Sequence, residues 1–168
     1  KLYFFIMQWQ VAGKTPAGDH TQSIQISVKD FIRNNWALTG TLSTIRILFS
    51  TGWYDRNRPY QIHFRHDSAG TAVPYTLGAS GLQRYDDVIN IHFWVSKSKS
   101  NVEPTELDQM YNEVMRIIGS DRTGLESSQG ICAMWFLRPP YTLPSPDSEI
   151  SVYHGIGSLR VVYYKLFA

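Results

Sequence analysis

Leu107, Met110, Tyr111, Val114, Ile117 and Ile118 recur at i, i+3, i+4, i+7, i+10 and i+11, the spacing of one apolar stripe on an α-helix. Pro104 falls near the first turn, where its missing N–H costs nothing, and Gly119 ends the run. A helix with a single apolar stripe needs a surface to lie on, and the segment before it offers one. Val88, Ile89, Ile91, Phe93 and Val95 mark a strong central strand, with Asn90, His92 and Trp94 on its other side. Leu107, Met110, Val114 and Ile117 are therefore expected to pack this helix onto a sheet.

The other elements follow from changes of period. Ser27-Val28-Lys29-Asp30 has the pattern of a capping box, and Val28, Phe31, Ile32, Asn35 and Trp36 follow at helical spacing until Gly40. Thr44 to Phe49 reads as a strand, 52–59 as a connection, and Tyr60 to Arg65 as a strand with Tyr60, Ile62 and Phe64 on one face. Asp67 to Asp86, rich in Gly, Ala, Ser and Thr, reads as a long hairpin-like loop. Ile131 to Leu137 is a further strand, and Arg138 to Asp147, with four prolines, a proline-rich insert. Glu149–Tyr153 and Leu159–Phe167 are expected as two strands joined across His154-Gly155-Ile156-Gly157. Helix, strands, helix, strands is the order of an α+β domain: an antiparallel or mixed sheet packed by two helices. Residues 1–22 read as an N-terminal arm and loop, and 23–168 as one domain.

A chain of 168 residues has room for one such domain. Its 18% charged and 43% hydrophobic residues allow a packed core, and 16 basic against 14 acidic residues exclude a polybasic nucleic-acid binder. The one cysteine, Cys132, has no partner for an internal disulfide and reads as a small core residue of a strand. The apolar run Leu2 to Met7 is far shorter than the ~20 residues of a membrane span, so no membrane partner is expected. The 14% aromatic content, most of it Tyr and Trp, suits half-buried sheets and interfaces.

Residues able to carry chemistry are few. His63 and His66 are three apart on a strand and so point to opposite faces. His63 or His66 would join His92 and Asp67 only if their strands pair, and sheet residues with a polar edge are the plainer reading. Asp86-Asp87 reads as turn residues before a strand; Glu103 and Glu106 suit the start of a helix. Gly13-Lys14-Thr15 has Gln8 where a phosphate-binding loop needs its first glycine, so the chain contains no Gly-x-x-x-x-Gly-Lys-Ser/Thr loop, and it has no dinucleotide fingerprint and no Gly-x-Ser-x-Gly elbow. No catalytic residue, metal or cofactor is therefore assigned, and the chain is not expected to be an enzyme. Arg56, Arg58, Arg65, Arg84, Lys97 and Lys99 flank strands bearing Tyr54, Tyr60, Phe64, Phe93 and Trp94. An aromatic sheet face of this kind suits a single-strand nucleic-acid or peptide-binding module.

The order of these elements resembles the tail-terminator and tail-completion (neck) proteins of tailed viruses, with an archaeal or divergent member in view. The resemblance covers about Ser23 to Phe167. It rests on the first helix, Arg58-Pro-Tyr-Gln-Ile-His-Phe64, the long loop after it, the strand Val88 to Ser96, the helix Pro104 to Ile118, and the closing strand Gly157 to Tyr164. Its implications are a structural virion protein, located in the tail or neck and in host cytoplasm during assembly. Copies would form a ring, commonly of six, that ends the tail tube and joins it to the head connector, with DNA only passing through the lumen. A ring needs two different patches on each subunit. Candidate oligomer-interface residues are Tyr3, Phe5, Trp9, Trp53, Tyr54 and Tyr141; a lumen- or tube-facing loop would present Arg65, Thr71, Tyr75, Thr76 and Arg84.

Overall fold

The sheet is assembled by alternation and closed on one side by helical stripes. The structure, a computed structural model, describes residues 20–37, 46–66, 75–77, 82–96, 105–120, 131–143 and 152–166. Its elements are α1 (His20–Asn34), β1 (Leu48–Ser50), β2 (Tyr60–His66), β3 (Tyr75–Leu77), β4 (Leu82–Ser96), α2 (Thr105–Ser120), β5 (Ile131–Leu143) and β6 (Val152–Leu166). The strand order is β1-β2-β4-β6-β5, with β3 pairing β4 off this path. β1 runs parallel to β2 and every other pair is antiparallel. The fold is α+β, a mixed sheet packed by two helices.

Both helices lie on the same face. That face presents Ile62 and Phe64 from β2, Ile89, Ile91, Phe93 and Val95 from β4, and Leu159, Val161 and Tyr163 from β6, all buried. Leu107, Met110, Val114 and Ile117 of α2 are buried against them, as the helical spacing requires. α1 adds Ile24, Val28, Phe31 and Ile32. Ile24 carries the stripe a full turn ahead of Val28, so α1 starts at His20 and Ser27 lies inside it rather than capping it. α1 ends at Asn34, and Trp36, expected within the helix, instead turns its ring edge-on to Phe49 at 5.2 Å.

Glu113 ties the two helices together. Its Oε1 accepts the Ala37 N–H at 2.7 Å, and Arg116 donates to both of its oxygens and, through Nη2, to the Asn35 carbonyl at 3.1 Å. The Arg116 hydrogen bonds hold the Glu113 carboxyl below its ordinary pKa. This tie is therefore complete above the ordinary carboxylate range and is lost as pH falls through the lowered value. Glu113→Ala is expected to lower stability by ~1–2 kcal/mol, read from the urea midpoint at neutral pH.

Four expectations change in the sheet. Residues 154–157 do not join two strands: β6 runs unbroken from Val152 to Leu166 and pairs with the whole of β4. Gly155 and Gly157 are close-approach positions rather than turn residues. A Cβ on Gly155 would collide with the Tyr111 hydroxyl and come within 2.8 Å of its Cε1, and one on Gly157 would lie 3.1 Å from Pro140 Cγ. Arg138–Leu143, placed in the insert, continue β5. β5 is an edge strand, and its register shifts around Arg138, so Pro139 and Pro140 fit where a central strand would refuse them. Asp86 and Asp87 lie within β4, not in a turn before it, because β4 starts at Leu82 and pairs with the last residues of β6. The long loop is correspondingly shorter, since β3 pairs back on β4 between Tyr75↔Arg84 and Leu77↔Leu82. Of the strand expected from Thr44 to Phe49, only β1 is seen, and residues 38–45 lie outside the described residues.

Candidate functional site: the helix-free sheet face

A parallel neighbour obliges the chain to travel back along its own length before pairing. β1 is three residues long, so residues 51–59 suffice for the return, and they run as a strap over the face without helices. Gln61, directly under the strap, is fully buried and holds it. Its Nε2 donates to the carbonyls of Asp55 (2.5 Å) and Arg58 (2.6 Å), and its Oε1 accepts the Asp55 N–H at 2.8 Å. Asp55 also caps its own turn, accepting the Asn57 N–H at 2.9 Å.

This hydrogen-bond pattern fixes the orientation of the Gln61 amide, and it has a consequence for His63, which is 1% exposed. The His63 Nε2 lies 2.8 Å from Gln61 Oε1 and its Nδ1 lies 3.0 Å from the Gly52 carbonyl. Both ring nitrogens face acceptors, so a neutral imidazole can donate to only one of them. Burial nevertheless keeps the His63 pKa below its ordinary value, with Arg65 acting in the same direction and the Gly52 carbonyl and Asp55 against it.

Beside it lies an aromatic pile. His63 is the cross-strand partner of His92, and His92 Nδ1 is 3.0 Å from His154 Nε2 of β6. The His154 ring stacks on Trp94 at 3.6 Å, nearly parallel, and Tyr54 of the strap leans on Trp94 at 5.1 Å. Burial first, then the charge of Arg65 and His63 on His92 and of His92 on His154, bring both His92 and His154 down to about 4. Both imidazoles are therefore neutral at pH 7 and share one hydrogen bond.

Around the pile, arginines cover aromatic rings. The Arg65 guanidinium sits 3.6 Å from the Trp53 ring centroid, Arg160 lies 5.3 Å from Trp135, and Arg138 lies 5.6 Å from Tyr141. Arg160 also makes a bidentate pair with Asp86. Arg84 shares this face by register, two residues before Asp86 on β4.

The histidine cluster weighed from the sequence forms only in part. His63 and His92 do meet, but their third companion is His154, and Asp67 lies outside the described residues. His66 points to the opposite face, where its Nε2 is 2.5 Å from Oδ1 of the fully buried Asp87. Burial raises the Asp87 pKa, and the contact with His66 works against the rise. Among the described residues no three His, Cys, Asp or Glu side chains converge as a metal site, and no helix is long and apolar enough to cross a membrane.

Of the residues assigned to an oligomer interface, Trp53 and Tyr141 are exposed, whereas Tyr54 is half-buried against Trp94. Arg65 and Arg84, expected on a lumen-facing loop, are strand residues of the helix-free face. Tyr75 and Thr76 lie in β3; Tyr3, Phe5, Trp9 and Thr71 lie outside the described residues. The sequence does not single out His154 because the glycines that follow it, Gly155 and Gly157, suggest a turn. The alternation of Tyr153, Gly155, Gly157, Leu159, Val161 and Tyr163 on one face was the signal for a continuous strand. The chain matches no family model, and no curated protein matches it.

Proposed function

We propose that the chain is a structural subunit of a viral tail or neck, which joins copies of itself into a ring that ends the tail tube below the head connector. In this reading DNA passes through the lumen and the chain performs no catalysis. The observation that carries it is the unlikeness of the two ends of the sheet. Trp53, in the strap that follows β1, is 78% exposed; on the edge strand β5, Leu137 is 51% and Tyr141 38% exposed. Different exposed apolar side chains after β1 and on β5 suit head-to-tail contact, which closes into a ring when the rotation between subunits allows. The order of elements behind the viral resemblance supports the same reading: α1, paired strands, α2 on the sheet and a closing strand.

The test is the solution mass by light scattering at two concentrations, in which a discrete multimer is expected. Trp53→Asp and Leu137→Asp each spoil one patch, so each variant alone should be monomeric. Their mixture retains one good pair of patches and should stop at a dimer. A wild-type chain that stays monomeric even with tail tubes present would reject the reading.

A further inference from the structure

The net charge of the chain is only +2, yet its charges are not evenly spread. On the helix-free face lie Arg65, Arg84, Arg138 and Arg160, with Asp86 as the acid between the strands. The strap adds Arg56 and Arg58 against Asp55. The helical side carries Asp30, Glu106, Asp108 and Glu113 with Lys29, Arg33 and Arg116. Among the described residues the helix-free side is thus basic and the helical side, which also buries Asp87, slightly acidic.

The basic side also carries aromatic rings that are exposed or half-buried. Trp53, Trp135 and Tyr141 each lie beside an arginine, and Trp94 forms a pile with His154 and His92. Flat rings and guanidinium planes stack on the π-faces of unpaired bases, while arginine N–H groups donate to phosphate oxygens. A stacked duplex hides those base faces, so the combination favours a single strand. The strap covers β2, so the open part of the face, β4-β6-β5, spans about 10 Å, room for roughly two nucleotides.

We infer that the helix-free face of this sheet binds single-stranded nucleic acid, with Trp135 as a stacking platform and Arg65 and Arg138 as phosphate partners. Arg160, already engaged by Asp86, holds the Trp135 ring in place. Trp135 and Arg138 lie on the edge strand β5 and Arg65 lies against Trp53, so this surface adjoins both ends of the sheet used in the ring reading.

The experiment is fluorescence anisotropy of the full chain with a labelled oligothymidylate of about 20 nucleotides and with a duplex of equal length. The single strand is expected to bind more tightly than the duplex and to weaken roughly tenfold between about 50 and about 200 mM salt. Trp135→Ala should weaken binding by about tenfold or more. The double variant Arg65→Ala, Arg138→Ala should weaken it and flatten the salt dependence, and because Arg138 is exposed and Arg65 partly so it serves if Trp135→Ala unfolds. Arg33→Ala, on the helical side, should leave binding as it was. Absence of binding at the lowest salt, duplex binding as tight as single-strand binding, or an equal loss in Arg33→Ala would each overturn the inference. Light scattering on the same samples reports self-association separately, so failure of the ring reading is not confused with failure of this one.

Discussion

Gly155→Ala is expected to destabilise the protein by ~3 kcal/mol, which lowers the melting temperature by roughly 10 °C in a domain of this size. One methyl group has this effect because there is nowhere for it to go. Tyr111 crosses from α2 directly over Gly155, its ring set edge-on against Phe93 at 4.8 Å and its hydroxyl 3.5 Å from Thr142 Oγ1. Burial pushes the Tyr111 hydroxyl up to about 12, as expected for a phenol held between a helix and a sheet. The added carbon must displace the ring, and with it the contact that seats α2 on β4 and β6. Removing the ring instead relieves the clash. In the Tyr111→Leu background, Gly155→Ala should cost less than ~1 kcal/mol, so the double-mutant cycle should show a coupling of ~2 kcal/mol. Equal costs in both backgrounds, measured by thermal and urea unfolding, would mean that β6 yields rather than Tyr111.

Acid should destabilise the fold well above the pH at which carboxylates titrate. His92 and His154 have ordinary values of 6.5 when unfolded and about 4 in the folded chain, so between these limits the unfolded state binds more protons. Their contribution is complete above pH ~6.5 and is lost as pH falls towards 4. Both rings are only half-buried, so solvent screens part of the effect, and together they are worth ~2–4 kcal/mol. His63 is lowered too and adds in the same direction. Asp87 is raised by burial and opposes the trend near the carboxylate range, where the folded state binds the extra proton. The urea midpoint should therefore fall steadily from pH 7.5 to 4.5 at fixed ionic strength. His154→Phe keeps the stack on Trp94 and removes one titrating group, so its stability should vary about half as steeply with pH. A flat profile in the wild-type chain would show that the imidazoles are hydrated, and that the pile on the helix-free face is looser than the 3.6 Å stacking implies.

The parts legible in the sequence were those where one periodicity acts alone. The stripe of α2 and the alternation of Tyr60–Phe64 and Ile89–Val95 each match a single geometry, and those elements fall where the patterns place them. The misread parts are those where a local signal competes with a distant contact. Gly155 and Gly157 look like turn residues until Tyr111 and Pro140 are laid over them, and Pro139-Pro140 look like a loop until the strand is known to be an edge. The candidate site was legible as a kind of surface but not as an arrangement. Arginines interleaved with aromatics could be read directly, but the meeting of His92 with His154 depends on pairing residues 62 positions apart. The separation of basic and acidic sides depends likewise on which face the helices cover.

Pro139 and Pro140 also bear on how copies of this chain can meet. An unbroken edge strand offers a row of main-chain donors and acceptors to any strand that approaches it, and growth by that route has no natural end. β5 offers two consecutive residues without an N–H in the middle of its length, beside a shift of register that already bends it. Contact along this rim must therefore be made by side chains such as Leu137 and Tyr141, whose shapes set a fixed angle between neighbours. The two prolines thus block growth by strand addition along this rim, so whether side-chain contacts made there close or stay open is set by the angle at which they fit.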